Sequence, residues 1–463
     1  QSLGSLTTDA GGTTQINGGG VTTTGPQTYN DGVVLGANTT LNAGAGNISF
    51  ASTVNADNAA NNRTLTLNSA GTTTLGGAVG GTQSLLSLTT DAGGTTQING
   101  GGVTTTGAQT YNDAVVLGAN TTLTTTSGPI QFAQDLSGAF TLTINGGTGN
   151  VTFSNTIGGG ADPTGISITT AGNITFTGAV NIGGAVTISA ANVSINSGIY
   201  ASAAGNVQIT NSGTLTILDT TSAADDTTAD IYILGSFIQI SGGGGSAVSI
   251  QGDIVTSAGN SITFNSPLTL TGNVLLQANG AGNIGLLSTV NPTTDSTEGL
   301  RFYTDSGTIS VTGPVGAPRL GALTITLTGN ALFTGNVTAT SFTQAGGSGT
   351  TIFNGTQDYT GAFSFTGTNL IQLGSATVGG NYTFTGAALT VNNALTVTGT
   401  TTITNSGLFT KGATGVITAT GGFTQNGTGA NSIGANISTT NANLSFATGI
   451  TLTQNVQFST GGG

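Results

Sequence analysis

Few residues in this chain could do chemistry, and most of those that could are carboxylates. Asp225, Asp226 and Asp230 stand together in the run S-A-A-D-D-T-T-A-D. Several oxygens that close could hold a hard cation such as Ca²⁺. The spacing is not that of an EF-hand loop, however, and the G-G-x-G-x-D nonapeptide of calcium-binding β-rolls is absent. A solvated acidic loop with no cofactor is the expectation, with calcium as the alternative. Asp219, Asp253, Asp295, Glu298 and Asp305 crowd into the same span, residues 206–320. Paired carboxylates can cleave a glycosidic bond when one has a raised pKa beside the other, usually with basic or aromatic helpers. The chain has no His, no Trp and no Cys, and only 4 Lys and Arg together. No catalytic or cofactor-binding residue is assigned, and an enzyme is not expected. Asp9 and Asp91, and Asp31 and Asp113, recur at one spacing, which suits turns and Asx caps better than catalysis.

Other residue types are read against their plainer roles. Thr at 22–24, 72–74, 104–106, 124–126 and 400–402 could line a flat strand face and order water there. Their irregular spacing in sequence favours β-propensity instead. Asn38, Asn120, Asn173 and Asn381 open N-x-[ST] sequons that could carry glycans, although Asn and Thr are common enough here to meet by composition. Tyr29, Phe50, Tyr111, Phe132, Phe153 and Phe176 recur with the repeats and are expected to stack in the interior.

The elements that must position these residues announce themselves by repetition. Residues 1–41 return at 83–123, 82 residues later, with only Gly4/Leu86, Pro26/Ala108 and Gly32/Ala114 differing. Fixed periodicity of this kind marks solenoids, propellers and bead-like arrays. A fainter repeat joins Phe342 to Phe423, Ile352 to Ile433 and Phe363 to Leu444, at an offset of 81. The pentapeptide G-N-[IV]-[ST]-F occurs at 46–50, 149–153 and 172–176. Four coils of about 20 residues per unit would account for the longer period. Residues 1–82 and 83–164 are thus near-duplicate units and 165–205 diverged coils. Residues 206–320 form an acidic span whose longer stretches, 220–229 and 291–299, could protrude, and 321–463 return to simple Thr/Gly/Asn repeats. All are read as one continuous body.

Composition fits stacking. Charged residues make up 4% of the chain and Gly accounts for 80 positions. Like charges repeated coil upon coil, about 4.8 Å apart, would repel by roughly 0.9 kcal/mol per pair even in water, whereas Thr, Ser and Asn can hydrogen-bond along a column. The net charge of −12 disfavours nucleic acid, whose binding needs Lys and Arg. No run approaches 18 apolar residues, so no membrane-spanning segment is expected. The fold expected is an all-β, right-handed parallel β-helix, or β-solenoid. A string of Ig-like sandwich modules of about 80 residues is the alternative.

Residues 104–123, T-T-T-G-A-Q-T-Y-N-D-A-V-V-L-G-A-N-T-T-L, resemble repeats of large bacterial surface and secreted proteins of the filamentous-haemagglutinin and autotransporter type. That resemblance implies an exported adhesin whose shaft is a right-handed parallel β-helix, at the cell surface or outside the cell. It implies a stiff rod or fibre for attachment or biofilm matrix. Its partners would be continuation of the same chain or other copies end to end, with a carbohydrate or host-surface ligand, and no nucleic acid. A β-helix that binds or cleaves polysaccharide through residues 206–320 is the rival expectation. The first residue falls inside a copy of the repeat and neither end offers a cap, so the body is expected to continue at both ends.

Overall fold

The computed structural model describes residues 3–58, 63–220 and 230–461. Every element among them is a β-strand, and the strands form parallel coils of about 21 residues, about 21 turns in all. The fold is a β-solenoid. The sandwich alternative is excluded because each strand pairs in parallel with the strand one coil later, as Leu6↔Gln27 and Gln27↔Ile48 show. Contacts divide the chain into two compact units. One is Gln1–Thr220 with Tyr232–Gly235 and Ser241–Ser246; the other is Thr221–Ile231, Ser236–Ile240 and Ala247–Gly463.

In the first unit each coil has three strands, and three ladders result. The first ladder stacks Leu6–Thr7, Gln27–Tyr29, Ile48–Phe50, Thr72–Leu75, Thr95–Ile98 and Ala114–Leu117. The second stacks Thr13–Ile16, Gly32–Leu35 and Val54–Ala56, then passes through bridges at Val79 to Gly102–Thr105, Thr121–Thr125 and Thr141–Gly147. The third holds Gly20–Thr22, Thr39–Gly44, Thr64–Ser69, Ser87–Thr90, Gln109–Tyr111, Ile130–Phe132 and Val151–Phe153. Alternation fills the interior. In Thr121–Thr125 and Thr141–Gly147, Leu123, Leu142 and Ile144 are fully buried while the Thr between them face out, as period-two pleating requires.

The 82-residue repeat does not correspond to four coils. From Leu6 to the residue before Leu88 the chain makes ten strands and the Val79 bridge, eleven positions at three per coil. Equivalent segments therefore land on neighbouring faces. Gln27–Tyr29 lies in the first ladder, whereas its copy Gln109–Tyr111 lies in the third, between Ser87–Thr90 and Ile130–Phe132. One sequence folds alike on two different sides of the coil.

The second unit keeps the plan with a different period. Phe342, Phe363, Tyr382, Thr401 and Phe423 follow one another in register, so the offset of 81 is four coils here. Phe363 and Leu444 are likewise four rungs apart. Ile352 and Ile433 are not structural equivalents: Ile433 pairs with Lys411, which continues the column of Phe353, and Ile352 belongs one residue earlier.

The pentapeptide G-N-[IV]-[ST]-F is a coil corner leading into a strand. Its glycines stack so closely that a Cβ on Gly149 would lie 1.9 Å from the Gly128 carbonyl oxygen, and one on Gly172 would lie 2.3 Å from that of Gly149. Asn Oδ1 then accepts a backbone N–H of the next coil, Asn150 from Asn173 at 2.9 Å and Asn47 from Thr72 at 2.8 Å. The aliphatic and Phe side chains point in, and Ser or Thr points out.

Candidate functional site

The acidic span spends its carboxylates on its own backbone. Asp225 and Asp226, with the 220–229 stretch that holds them apart from Thr220, lie outside the described residues. Asp230 is buried, and its Oδ2 accepts the N–H of Asp253 at 2.9 Å. Asp253 Oδ1 in turn accepts the N–H of Leu275 at 2.6 Å, so each acid caps the coil after it. Glu298 is buried within 291–299, at the end of the exposed run 293–297. The carboxylate takes the Thr293 hydroxyl at 2.6 Å and the Thr294 N–H. Burial pushes its pKa up, but those hydrogen bonds outweigh burial and hold it below the ordinary glutamate value. Asp305 accepts the Tyr303 hydroxyl and the Gly280 N–H, each at 2.5 Å, which hold its pKa down. Asp295 accepts the Arg319 N–H at 2.9 Å. Among the described residues no group of three or more His, Cys, Asp or Glu is placed to hold a metal ion.

The repeated acids Asp31 and Asp113 form the same buried clamp twice. Asp31 accepts the hydroxyls of Thr8 and Thr14, both at 2.8 Å, and Asp113 those of Thr90 at 2.7 Å and Thr96 at 2.9 Å. Asn30 and Asn112 complete each corner by donating to the carbonyls of Thr8 and Thr90. Asp91 caps the N–H of Ser69. The clamps titrate in opposite directions. The Thr14 hydroxyl holds Asp31 below its usual value, while deeper burial pushes Asp113 up despite its two hydroxyl donors.

The cations are equally committed. Arg63 grips Asp57 through two hydrogen bonds, at 3.1 and 2.8 Å. Arg319 reaches across two coils to the carbonyls of Ala339 and Asp358 at 3.0 and 2.8 Å and pairs with the Asp358 carboxylate. Lys411 is the least expected. It is fully buried, and its Nζ donates to the carbonyls of Asn392, Gly412 and Thr414 at 3.3, 2.9 and 2.7 Å. Burial lowers its pKa to about 8.

Sequence reasoning also missed the polar interior. Gln27 donates to the Val21 and Asn42 carbonyls and accepts the Tyr29 hydroxyl at 3.0 Å, and Gln109 and Tyr111 repeat the pattern. The repeated Q-T-Y was the available signal, because two inward positions flank one outward Thr. The aromatic expectation is met. Tyr29 stacks on Phe50, and Tyr111, Phe132, Phe153 and Phe176 form a continuous column with ring centroids 4.9 to 5.2 Å apart. The sequon residues Asn38, Asn120 and Asn381 use Oδ1 to accept backbone N–H groups of Thr64, Thr141 and Thr400. Asn173 accepts the amide of Asn192.

Two open depressions in the second unit bear on ligand binding. One, about 210 Å³, is lined within 206–324 by Asn273, Gly299, Arg301 and Thr324 among others, with no carboxylate. The other is a groove of about 500 Å³ walled by Thr368, Thr385, Thr404, Ser406, Asn426 and Thr428 over a glycine-rich floor. Such walls can hydrogen-bond a neutral polar ligand, and neither lining contains a base beside a nucleophile. None of the family models, curated proteins or solved structures compared with this chain matches it.

Proposed function

We propose that this chain is a structural shaft of an exported adhesin-type surface protein, a stiff spacer for attachment or matrix. One observation supports this most: within each unit, coil joins coil through parallel ladders, while Asp31, Asp113, Asp230, Asp253, Glu298 and Lys411 bond backbone groups or hydroxyls of their own or neighbouring coils. Such a body resists bending because any bend must stretch backbone hydrogen bonds on one side. On this reading the working location is the cell surface or extracellular space. The partners are further lengths of the same kind, in the same chain or in other copies, and a carbohydrate or cell-surface ligand. A scarcity of Lys and Arg, 4 in the whole chain, leaves trypsin-like proteases little to cut.

Small-angle scattering and electron microscopy test the proposal. Within each unit the coils should appear as an unbranched rod that lengthens by about 4.8 Å per coil. Images in which either unit is a string of separate globules would overturn the spacer role.

A further inference from the structure

The outer surface of the second unit carries a lattice that the shaft reading does not use. Strands Phe363–Thr366, Tyr382–Gly386, Thr401–Asn405 and Phe423–Gln425 stack in register with their rings turned inward. Their outward positions fall in two straight columns. Thr343, Ser364, Thr383, Thr402, Thr424 and Ser445 form one. Thr366, Thr385 and Thr404 form the other, and Thr404 donates to Asn426 Oδ1 in the next coil at 2.6 Å. Neighbours along a column are about 4.8 Å apart, and the columns are about 6.6 Å apart, two residues along a strand. No residue of either column is charged.

The first unit carries the same device on its second ladder. Thr122, Thr143, Ser167 and Thr187 make one column, and Thr124, Asn145, Thr169 and Ser189 the other. Spacings that look irregular in sequence become regular because coils of unequal length hold their strands in one register.

We propose that these two-column hydroxyl faces bind ice. In a tetrahedral water network with O···O about 2.8 Å, next-nearest oxygens lie about 4.6 Å apart, close to the rung spacing. Backbone ladders fix the rungs, and β-branched Thr has few χ1 choices, so the hydroxyls are ordered before water arrives. A charge would impose its own oriented shell, and the columns have none. The groove beside Thr385 and Thr404, about 500 Å³, is open to water. A sugar lattice is the poorer fit, because glycans favour stacking on exposed rings and Phe363, Phe365, Tyr382 and Phe384 are all buried behind the face. This proposal rests on ladder register alone and does not depend on the shaft.

The test is slow growth of ice from a dilute solution of the full chain. Wild type is expected to enter the ice and to hold seed crystals static below the melting point. The double variant Thr169→Lys, Thr402→Lys should partition into ice at least tenfold less, with an unchanged circular dichroism spectrum. Thr169→Val with Thr402→Val, which keeps shape and removes hydroxyls, should also reduce uptake. Thr396→Lys, exposed on a single-column ladder of the second unit, should behave as wild type. Exclusion of wild type from ice, or uptake of both double variants equal to that of wild type, would overturn the proposal. So would retention of wild type on crystalline cellulose or chitin with no uptake into ice.

Discussion

Asp31 and Asp113 show how far one residue's behaviour depends on its cover. Both accept two threonine hydroxyls, yet Asp31 has a depressed pKa and Asp113 a raised one. A depressed carboxylate adds stability above its unfolded pKa of about 3.9, and that stability is lost as pH falls through the folded value. A raised one favours the neutral form in the fold, so its contribution is lost as pH rises through the folded value. Asp31→Asn should therefore lower the melting midpoint at pH 7 and do little at pH 3. Asp113→Asn should leave the pH 7 midpoint level or higher, since an amide oxygen can still accept both hydroxyls. Equal losses for both at pH 7 would contradict this account. Lys411 gives a second signature. Its folded pKa of about 8 lies below the unfolded 10.4, so the unfolded chain binds more protons and stability rises with pH between them. From pH 8 to 9.5 the gain should be about 1.5 kcal/mol. Denaturant titrations should show it in wild type and not in Lys411→Met.

At the scale of the strand, columns carry the stability. Phe153 stacks on Phe132 and Phe176 at 4.9 and 5.2 Å, so Phe153→Ala opens a void between two rings. It should cost about 3–5 kcal/mol in chemical unfolding, and a loss under 1 kcal/mol would mean the column is not stacked. The sequence showed this much plainly: Phe and Tyr recurring with the repeats, and the recurring pentapeptide G-N-[IV]-[ST]-F, pointed to stacked coils. It hid the phase. A count of residues cannot reveal that an 82-residue unit holds eleven strand positions, because coil length varies as corners bulge. From Leu6 to Gln27 takes 21 residues, whereas from Ile48 to Thr73 takes 25. For the same reason the threonine columns looked irregular. The inward Gln and Lys411 were hidden too, since a long polar side chain at an inward position reads as surface until its carbonyl partners are known.

At the scale of the molecule, the scarcity of charge and the abundance of glycine have one cause. A charge placed in every coil would face its own copy above and below, and a side chain at the Gly128, Gly149 and Gly172 corner would strike the next backbone. What this composition could not reveal is that Asp230, Asp253 and Glu298 are buried and accept backbone N–H groups. Repetition also separates the stacked-coil account from the modular one most directly. Ser364 and Ser445 are 81 residues apart, close to one repeat, and occupy one column four rungs apart. The chain has no Cys, so Ser364→Cys with Ser445→Cys takes two spin labels and no others. Pulsed dipolar spectroscopy should give a single narrow distance near 19 Å, four steps of about 4.8 Å, broadened only by the label tethers. A distance near 40 Å, the separation of successive globular modules, would contradict the solenoid and the shaft built from it.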